Sequence, residues 1–435
     1  MFKRLAYLRK RLFTGIWFIP IALCAASFLL GVLMLGLDRH MTSLIAGMRM
    51  FALPVDSARQ VLSVIAGSII SVGGVSFSVT MVALTLTSGQ YGPKVVRHFL
   101  EDNDSKVSLG LFLGAYVYAL VVLSGYIDTD RPHLTVLTGL LYALIAVMAF
   151  IRFIHRTATD LQADEIVERI GKRLEEALQH LIGYATDDAR THDIARWRQM
   201  ARGHEPALVA QSGRGYVQTV DYAGLLDWCV ENDCCMQVRI RSGDFVVGGI
   251  SAFKVFGCRP EVLDASIEEL NRRIVTGPVR TSVQDPEYPV TQLNQVAARA
   301  LSPGINDPGT AISCVDAFSL ALAGVVDREF PGSVVLDDDG SARLLVRFIG
   351  FEGILKSVFA QLRQFANADV AVTVSLFEAL CRLAELTTRP ERLGLLATHG
   401  NLIWEGLDDQ GFTDYDLRDI RQRYKRLQIL VSRFG

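Results

Sequence analysis

Gln60, Val64, Gly67, Ser71, Gly74, Ser78, Met81, Thr85 and Ser88 recur at alternating steps of three and four within Gln60–Pro93, a stretch that carries no charge. On a helix that spacing gathers them into one stripe down one face. Ile69, Ile70, Val72, Phe77, Val82, Leu84 and Leu86 fall on the other faces. Two kinds of chemistry fit the stripe. Small residues in register let membrane helices approach closely, and Ser or Thr can bond across helices or back to their own carbonyls. Alternatively, Gln60, Gly67, Ser71, Gly74, Ser78, Met81, Thr85 and Ser88 line a hydrated pathway. Nine Ser or Thr lie between Gln60 and Pro93, and few pure packing helices need so many hydroxyls.

A second candidate is the corner Arg299-Ala300-Leu301-Ser302-Pro303-Gly304-Ile305-Asn306-Asp307-Pro308-Gly309-Thr310. A helix stops at Ser302-Pro303-Gly304, and another starts with Asp307 as N-cap and Pro308 in the first helical position. The Asp307 carboxylate is then expected to hold amides near Gly309 and Thr310. The corner reads as a tight structural turn, or as a helix N-terminus where Arg299, Ser302, Asn306 and Asp307 contact a small ligand or ion. Enzyme signatures are scarce. Gly74-Val75-Ser76-Phe77-Ser78 is not a nucleophile elbow, no P-loop, His-Glu-x-x-His or dinucleotide fingerprint occurs, and the eight histidines are dispersed. We expect no enzyme, no cofactor and no metal site.

The stripe needs a helix to carry it. At about 1.5 Å per residue the uncharged stretch makes a helix of about 51 Å, longer than a bilayer core of roughly 30 Å. Three more apolar spans are expected at Leu12–Leu37, Val107–Ile127 and Leu134–Phe153. Lys3, Arg4, Arg9, Lys10 and Arg11 precede the first span, Lys94, Arg97 and Lys106 follow the second, and Arg152 and Arg156 end the fourth. These basic groups share one side, which places both termini in the cytoplasm. The first span is too long for a signal-peptide core and reads as an anchor. No Asp, Glu, Lys or Arg lies deep in a span, which disfavours a proton-coupled transporter.

Beyond Phe153, residues Ile154, Ala158, Leu161, Ile166, Ile170, Leu174, Leu178 and Leu181 keep helical spacing and predict an amphipathic stalk. From Pro206 the period changes to two, with strands at Ala207–Ala210, Gly215–Val220, Met236–Ile240, Phe245–Ile250 and Phe253–Phe256. Gly243-Asp244-Phe245-Val246-Val247-Gly248-Gly249 resembles the turn of lipoyl-type barrel-sandwich domains, without the Lys such domains modify. From Glu261 the chain is mainly helical, with one hairpin joining Val334–Leu336 to Arg343–Val346.

The expected fold is therefore an α-helical membrane protein of four transmembrane helices with a cytoplasmic α+β region. Its expected divisions are residues 1–156 for the spans, 157–204 for the stalk, 205–258 for a small β-barrel-like domain and 259–435 for a mainly helical domain. The 435 residues carry 44 Lys and Arg against 46 Asp and Glu, a balance that gives nucleic-acid binding no support. The seven cysteines are odd in number and contain no C-x-x-C pair, so they read as reduced thiols.

Three stretches carry a resemblance: Gly73–Thr80 running on through Ser88–Pro93, then Gly215–Gln218 with Gly243–Val246, then Gln284-Asp285 with Ala300–Pro308. In them the chain resembles the bacterial inner-membrane family of domain of unknown function 2254 over nearly its whole length. That implies a multi-pass inner-membrane protein and brings no activity that transfers residue by residue. The chain departs from the pattern after Asp285, where Pro286-Glu287-Tyr288-Pro289-Val290 has two prolines, so Asp285 is left out of the candidate set.

The reading these features favour is a homo-oligomeric channel, lined by the second span and gated by the cytoplasmic domains, with the lipid bilayer, a second copy and a small ion or solute as partners. A membrane-anchored sensor or scaffold that binds a ligand or partner is the alternative. The charge pattern predicts that a periplasm-active reporter fused after Gly435 gives no signal; a strong signal would put the C-terminus outside.

Overall fold

The computed structural model describes residues 17–41, 54–91, 103–125, 134–160, 162–185, 193–407 and 412–433. The basic residues at 3–11, 94 and 97 fall outside these. The chain divides into two compact units, Met1–Ile166 and Val167–Gly435.

The first unit contains α1 (Phe18–Met41), α2 (Val55–Tyr91), α3 (Asn103–Gly125) and α4 (Leu134–Asp160). Each holds a segment apolar and long enough to cross a membrane: Phe18–Asp38, Val55–Val82, Lys106–Gly125 and Leu134–Arg156. With no water to bond the backbone in hydrocarbon, such segments have to be helical.

Helix α1 packs closely on α3 because Gly110 and Gly114 leave room for it. A Cβ on Gly110 would meet Leu23 and the Pro20 backbone, and one on Gly114 would meet Ser27 and Tyr142. Close backbone approach at small-xxx-small spacing is the packing that membrane helices favour. Polar groups inside the unit find partners in it. Ser27 Oγ donates to the Leu23 carbonyl at 2.7 Å and lies 2.6 Å from Tyr142 Oη, while Tyr118 Oη donates to the Thr135 carbonyl at 2.8 Å. The buried Asp38 carboxylate of α1 caps α4, accepting from the Leu134 and Thr135 amides at 2.9 and 3.0 Å. An N-cap normally comes from its own chain end; here a neighbouring helix supplies it.

Helix α5 (Ala163–Ile182) begins after a bend at Gln162 and contains the boundary between the units, and α6 of the second unit is Ile194–Ala201. Strands β1 (Ala207–Ala210), β2 (Gly215–Val220), β3 (Cys235–Val238), β4 (Phe245–Val246), β5 (Ser251–Phe256), β6 (Ile274–Gly277), β7 (Val334–Leu336) and β8 (Ala342–Leu345) follow. Helices α7 (Tyr222–Glu231) and α8 (Pro260–Arg272) lie between them.

The strands form two open sheets, of order β1-β5-β3-β8-β7 and β4-β2-β6. The expected β-barrel-like domain is thus corrected: no closed barrel occurs among the described residues. There are two physical reasons. The run Phe245–Ile250 stays extended for only two residues before Gly249, at φ +92°, turns it back. The hairpin β7-β8 also joins the larger sheet, with β8 parallel to β3 at Met236↔Leu344. Val217, Leu225, Trp228, Met236, Phe253 and Leu344 are buried in the core beneath.

The remainder is helical: α9 (Glu287–Ala300), α10 (Pro308–Ala323), α11 (Phe351–Ala366), α12 (Val370–Glu385), α13 (Pro390–Glu405) and α14 (Asp414–Ser432). Phe318, Leu355, Phe359, Leu376 and Leu396 are buried among them. Arg392 is buried too, its guanidinium 4.4 Å from the centre of the Phe351 ring and 5.2 Å from that of Phe330.

His399 on α13 is buried beside the Phe359 ring, and desolvation followed by the nearby Arg363 charge lowers its pKa to about 4. The unfolded chain takes up this proton near a pH of about 6.5, the folded chain only near 4, so unfolding binds a proton between those values. Stability therefore falls as pH falls through that window, by at most about 3 kcal/mol. The melting temperature of the intact protein is expected to drop more between pH 7 and pH 4.5 than that of His399→Leu. Equal drops would show that His399 does not carry the effect.

Candidate functional site

Helix α2 turns one face to its own bundle. Ala58, Leu62, Ile69 and Ser76 are buried there. The candidate stripe lies on the other side: Gln60, Gly67, Ser71, Gly74, Ser78, Met81 and Thr85 are all exposed, and the side chain of Ser88 lies outside the described residues. A Cβ added at Gly67 or Gly74 would meet nothing within 4 Å, in contrast to Gly110 and Gly114. Among the described residues, the glycines of the stripe therefore pack against no neighbouring helix.

Its hydroxyls are bonded back along the helix. Ser71 Oγ donates to the Gly67 carbonyl at 2.9 Å, Ser78 Oγ to Gly74 at 3.1 Å and Thr85 Oγ1 to Met81 at 2.8 Å. A carbonyl can only accept, so each hydroxyl proton is committed and the oxygen lone pairs remain.

At the corner, Asp307 Oδ1 accepts from the Thr310 amide at 3.2 Å and its Oδ2 from Thr310 Oγ1 at 2.5 Å. Ser302 Oγ donates to the Arg299 carbonyl at 2.6 Å. The Ser302 carbonyl accepts from the amides of Ile305 and Asn306, at 3.0 and 2.9 Å, and the Asp307 amide donates to Ala300. Asn306 has φ +49°, in the left-handed region that Asn tolerates and β-carbon residues otherwise avoid. The four corner residues thus come together, in a loop that closes on itself.

A third feature was not reached by reading the sequence. A cleft of about 710 Å³ in the second unit is lined by the turn after β3, by the first half of α9, by the loop after β8 and by α11. Arg241, Arg280, Arg347 and Lys356 enter it against the carboxylate of Glu287. Arg241 Nη2 donates to Glu287 Oε2 at 2.6 Å, and Ser357 Oγ donates to Glu287 Oε1 at 2.9 Å. Arg280 holds the buried Asp285 through two bonds of 2.7 and 2.9 Å. Burial keeps the Asp285 carboxyl above the usual range, with the Arg280 bonds acting the other way.

Gly243, at φ +93°, lies over this pair, and a Cβ there would strike the Asp285 carboxylate. Gln284 donates to the Val220 carbonyl and accepts from its amide, pinning the end of β2. The Gly243-Asp244 and Gln284-Asp285 markers therefore meet around the Arg280–Asp285 pair, beside the cleft that Arg280 lines. The corner lies at the far end of α9, which is about 9 Å from Asn294 along the helix.

A bundle of four apolar spans joined to an α/β unit defines a multi-pass membrane protein. The chain belongs to the family described as predicted membrane protein, domain of unknown function 2254, whose match spans residues 14–382. It is 26% identical over 343 residues to uncharacterized proteins of Mycobacterium tuberculosis and Mycobacterium bovis. That segment covers 77% of this chain and 65% of theirs, so the chain spans less than two thirds of the relatives it matches. No solved structure matches it.

The corner geometry predicts separable effects. Asp307→Ala is expected to lower stability by about 1 kcal/mol through loss of the cap. Asn306→Ala is expected to cost about 1 kcal/mol for its left-handed backbone, and Asn306→Gly almost nothing. Thermal melts of the three variants decide this; a stable Asn306→Ala beside an unstable Asn306→Gly would contradict the conformational account.

Proposed function

We propose that the chain self-associates in the membrane through the outward face of α2, and that the assembled faces line a hydroxyl-rich passage for a small ion or solute, opened and closed by the α/β unit. The observation that carries this reading is the direction of the stripe. At about 100° per residue, Ser71, Ser78 and Thr85 lie roughly opposite the buried Leu62, Ile69 and Ser76. In a lone protomer that face would meet hydrocarbon, where Gly67 and Gly74 leave gaps. A ring of copies about one axis covers it and brings the same face of every copy together. Because the hydroxyl protons are committed to carbonyls, the lining offers lone pairs, which suits a cation or a solute bearing hydrogen-bond donors.

The test uses the native burial of the cysteines. Cys229, Cys234, Cys235, Cys314 and Cys381 are buried, so replacing Cys24 and Cys258 gives a quiet background. Single cysteines at Ser71, Ser78 and Thr85 are expected to react with a charged, membrane-impermeant thiol reagent and to change the current in a planar bilayer. Cysteines at Ile70 and Phe77, turned by about 100°, are the controls. Ser78→Trp is expected to block flux while the oligomer persists. If Ser78→Trp dissolves the oligomer, the stripe is packing; if no current arises and neither series reacts, the anchored sensor or scaffold replaces the passage.

A further inference from the structure

The polar cleft of the second unit has the features of a ligand site rather than of a gap between helices. Its volume of about 710 Å³ falls in the range of small-molecule pockets, about 300–1,000 Å³. Helix α11 starts at its edge: Gly350 is the N-cap, gives no side-chain bond to the first turn, and lines the cleft together with Gly353. A helix N-terminus attracts anions through its free amides and its dipole. The exposed Glu352 in that first turn acts in the opposite sense, but it does not line the cleft.

Independently of the helix end, the cleft lining includes a buried amide with one of its two polar atoms unpartnered. Asn294 lines it and is 2% exposed. Its Nδ2 donates to the Ser357 carbonyl at 2.9 Å, which fixes the orientation of the amide, since a carbonyl cannot donate. Oδ1 is left without a partner among the described residues. An orphaned acceptor in a buried amide is costly unless something donates to it.

The cations around it differ in freedom. Arg241 is held by Glu287 and Arg280 by Asp285. Arg347 uses Nη1 on the Arg239 carbonyl at 3.0 Å and lies 3.5 Å from Asp244, leaving the rest of its guanidinium open. Lys356 is exposed. Counting Asp244, Glu287 and Asp285 against the four cations leaves the surroundings positive.

We propose that this cleft binds an organic phosphate ester: the phosphoryl group at the Gly350 end of α11 between Arg347 and Lys356, and a hydroxyl or amino group of the remainder donating to Asn294 Oδ1. Donors converge from a helix end and from two separate cations, an arrangement that suits the tetrahedral oxygens of a phosphoryl group better than a planar carboxylate. The site does not depend on the passage proposed above, because it is complete within one chain.

The test is binding to the full-length protein in a neutral, phosphate-free detergent, followed by calorimetry with inorganic phosphate, ribose 5-phosphate and ribose. Saturable binding of both phosphates is expected, ribose 5-phosphate the tighter, with no binding of ribose. Lys356→Glu and Arg347→Glu, both at exposed positions, are each expected to weaken phosphate binding tenfold or more. Asn294→Ala is expected to narrow the preference for ribose 5-phosphate over inorganic phosphate. In nanodiscs, loss of ribose 5-phosphate binding when phosphatidylglycerol replaces phosphatidylcholine would identify a lipid headgroup as the source of the phosphoryl group; unchanged binding would identify a free metabolite. No saturable binding of either phosphate, equal affinity in Lys356→Glu, or ribose binding as well as its phosphate would overturn the proposal.

Discussion

A hydrogen-bonding group cut off from water has to find its partner inside the protein, and this constraint orders both units. In hydrocarbon an unmet backbone or side-chain group costs several kcal/mol. The four spans are helical for that reason, and their few polar side chains are arranged for it. Asp38 satisfies the amides at the start of α4, and Tyr118 and Ser27 bond to backbone carbonyls close by. The hydroxyls on the outward face of α2 meet the same demand by turning back on their own helix. What this leaves is an asymmetry: donors satisfied, acceptors available, on a face that is exposed among the described residues.

The second unit follows the same rule around the cleft, with an exception at Asn294. Gln284 completes the end of β2, Arg280 satisfies Asp285 under Gly243, and Ser357 satisfies one half of the Asn294 amide. The other half is unmet, and Asn294 lines the polar cleft. Buried polar groups are so regularly paired that an unpaired one at a cavity wall points to something that belongs there. The rigid pairs around it explain how the cleft keeps its shape: Glu287 ties Arg241 to Ser357, bridging the turn after β3 to α11.

The legible parts of this fold are those set by local chemistry. Runs of apolar residues identified the four spans, and Asp307 followed by Pro308 marked the start of α10 because capping acts within three residues. Strands β1, β2 and β5 were visible from their alternation. Their partners were not. The pairing of β3 with β8 joins Met236 to Leu344, and nothing in either segment encodes the other. The cleft escaped for the same reason, since Arg241, Arg280, Asn294, Arg347 and Lys356 come from separate segments with ordinary local patterns. The corner at Asn306 attracted attention through its Pro, Gly and Asn content, which is also the content of a turn that only needs a left-handed residue.

The stripe and the cleft differ in what they require, and this decides how the two proposals stand to each other. The stripe is incomplete in one chain, because a single helix face cannot enclose anything, whereas every group of the cleft lies between Arg241 and Gln361 of one protomer. Both fall within the family stretch of residues 14–382, while α13 and α14, with His399, lie beyond it. The C-terminal helices therefore support a unit whose candidate chemistry lies upstream of them. A lesion in the cleft that leaves α2 intact removes ligand binding without dispersing an oligomer, and a bulky residue on the stripe blocks the passage without removing ligand binding. If a ligand in the cleft controls the passage, the coupling has to act through a difference in ligand affinity between the open and closed assemblies, and the strength of that control is bounded by that difference alone.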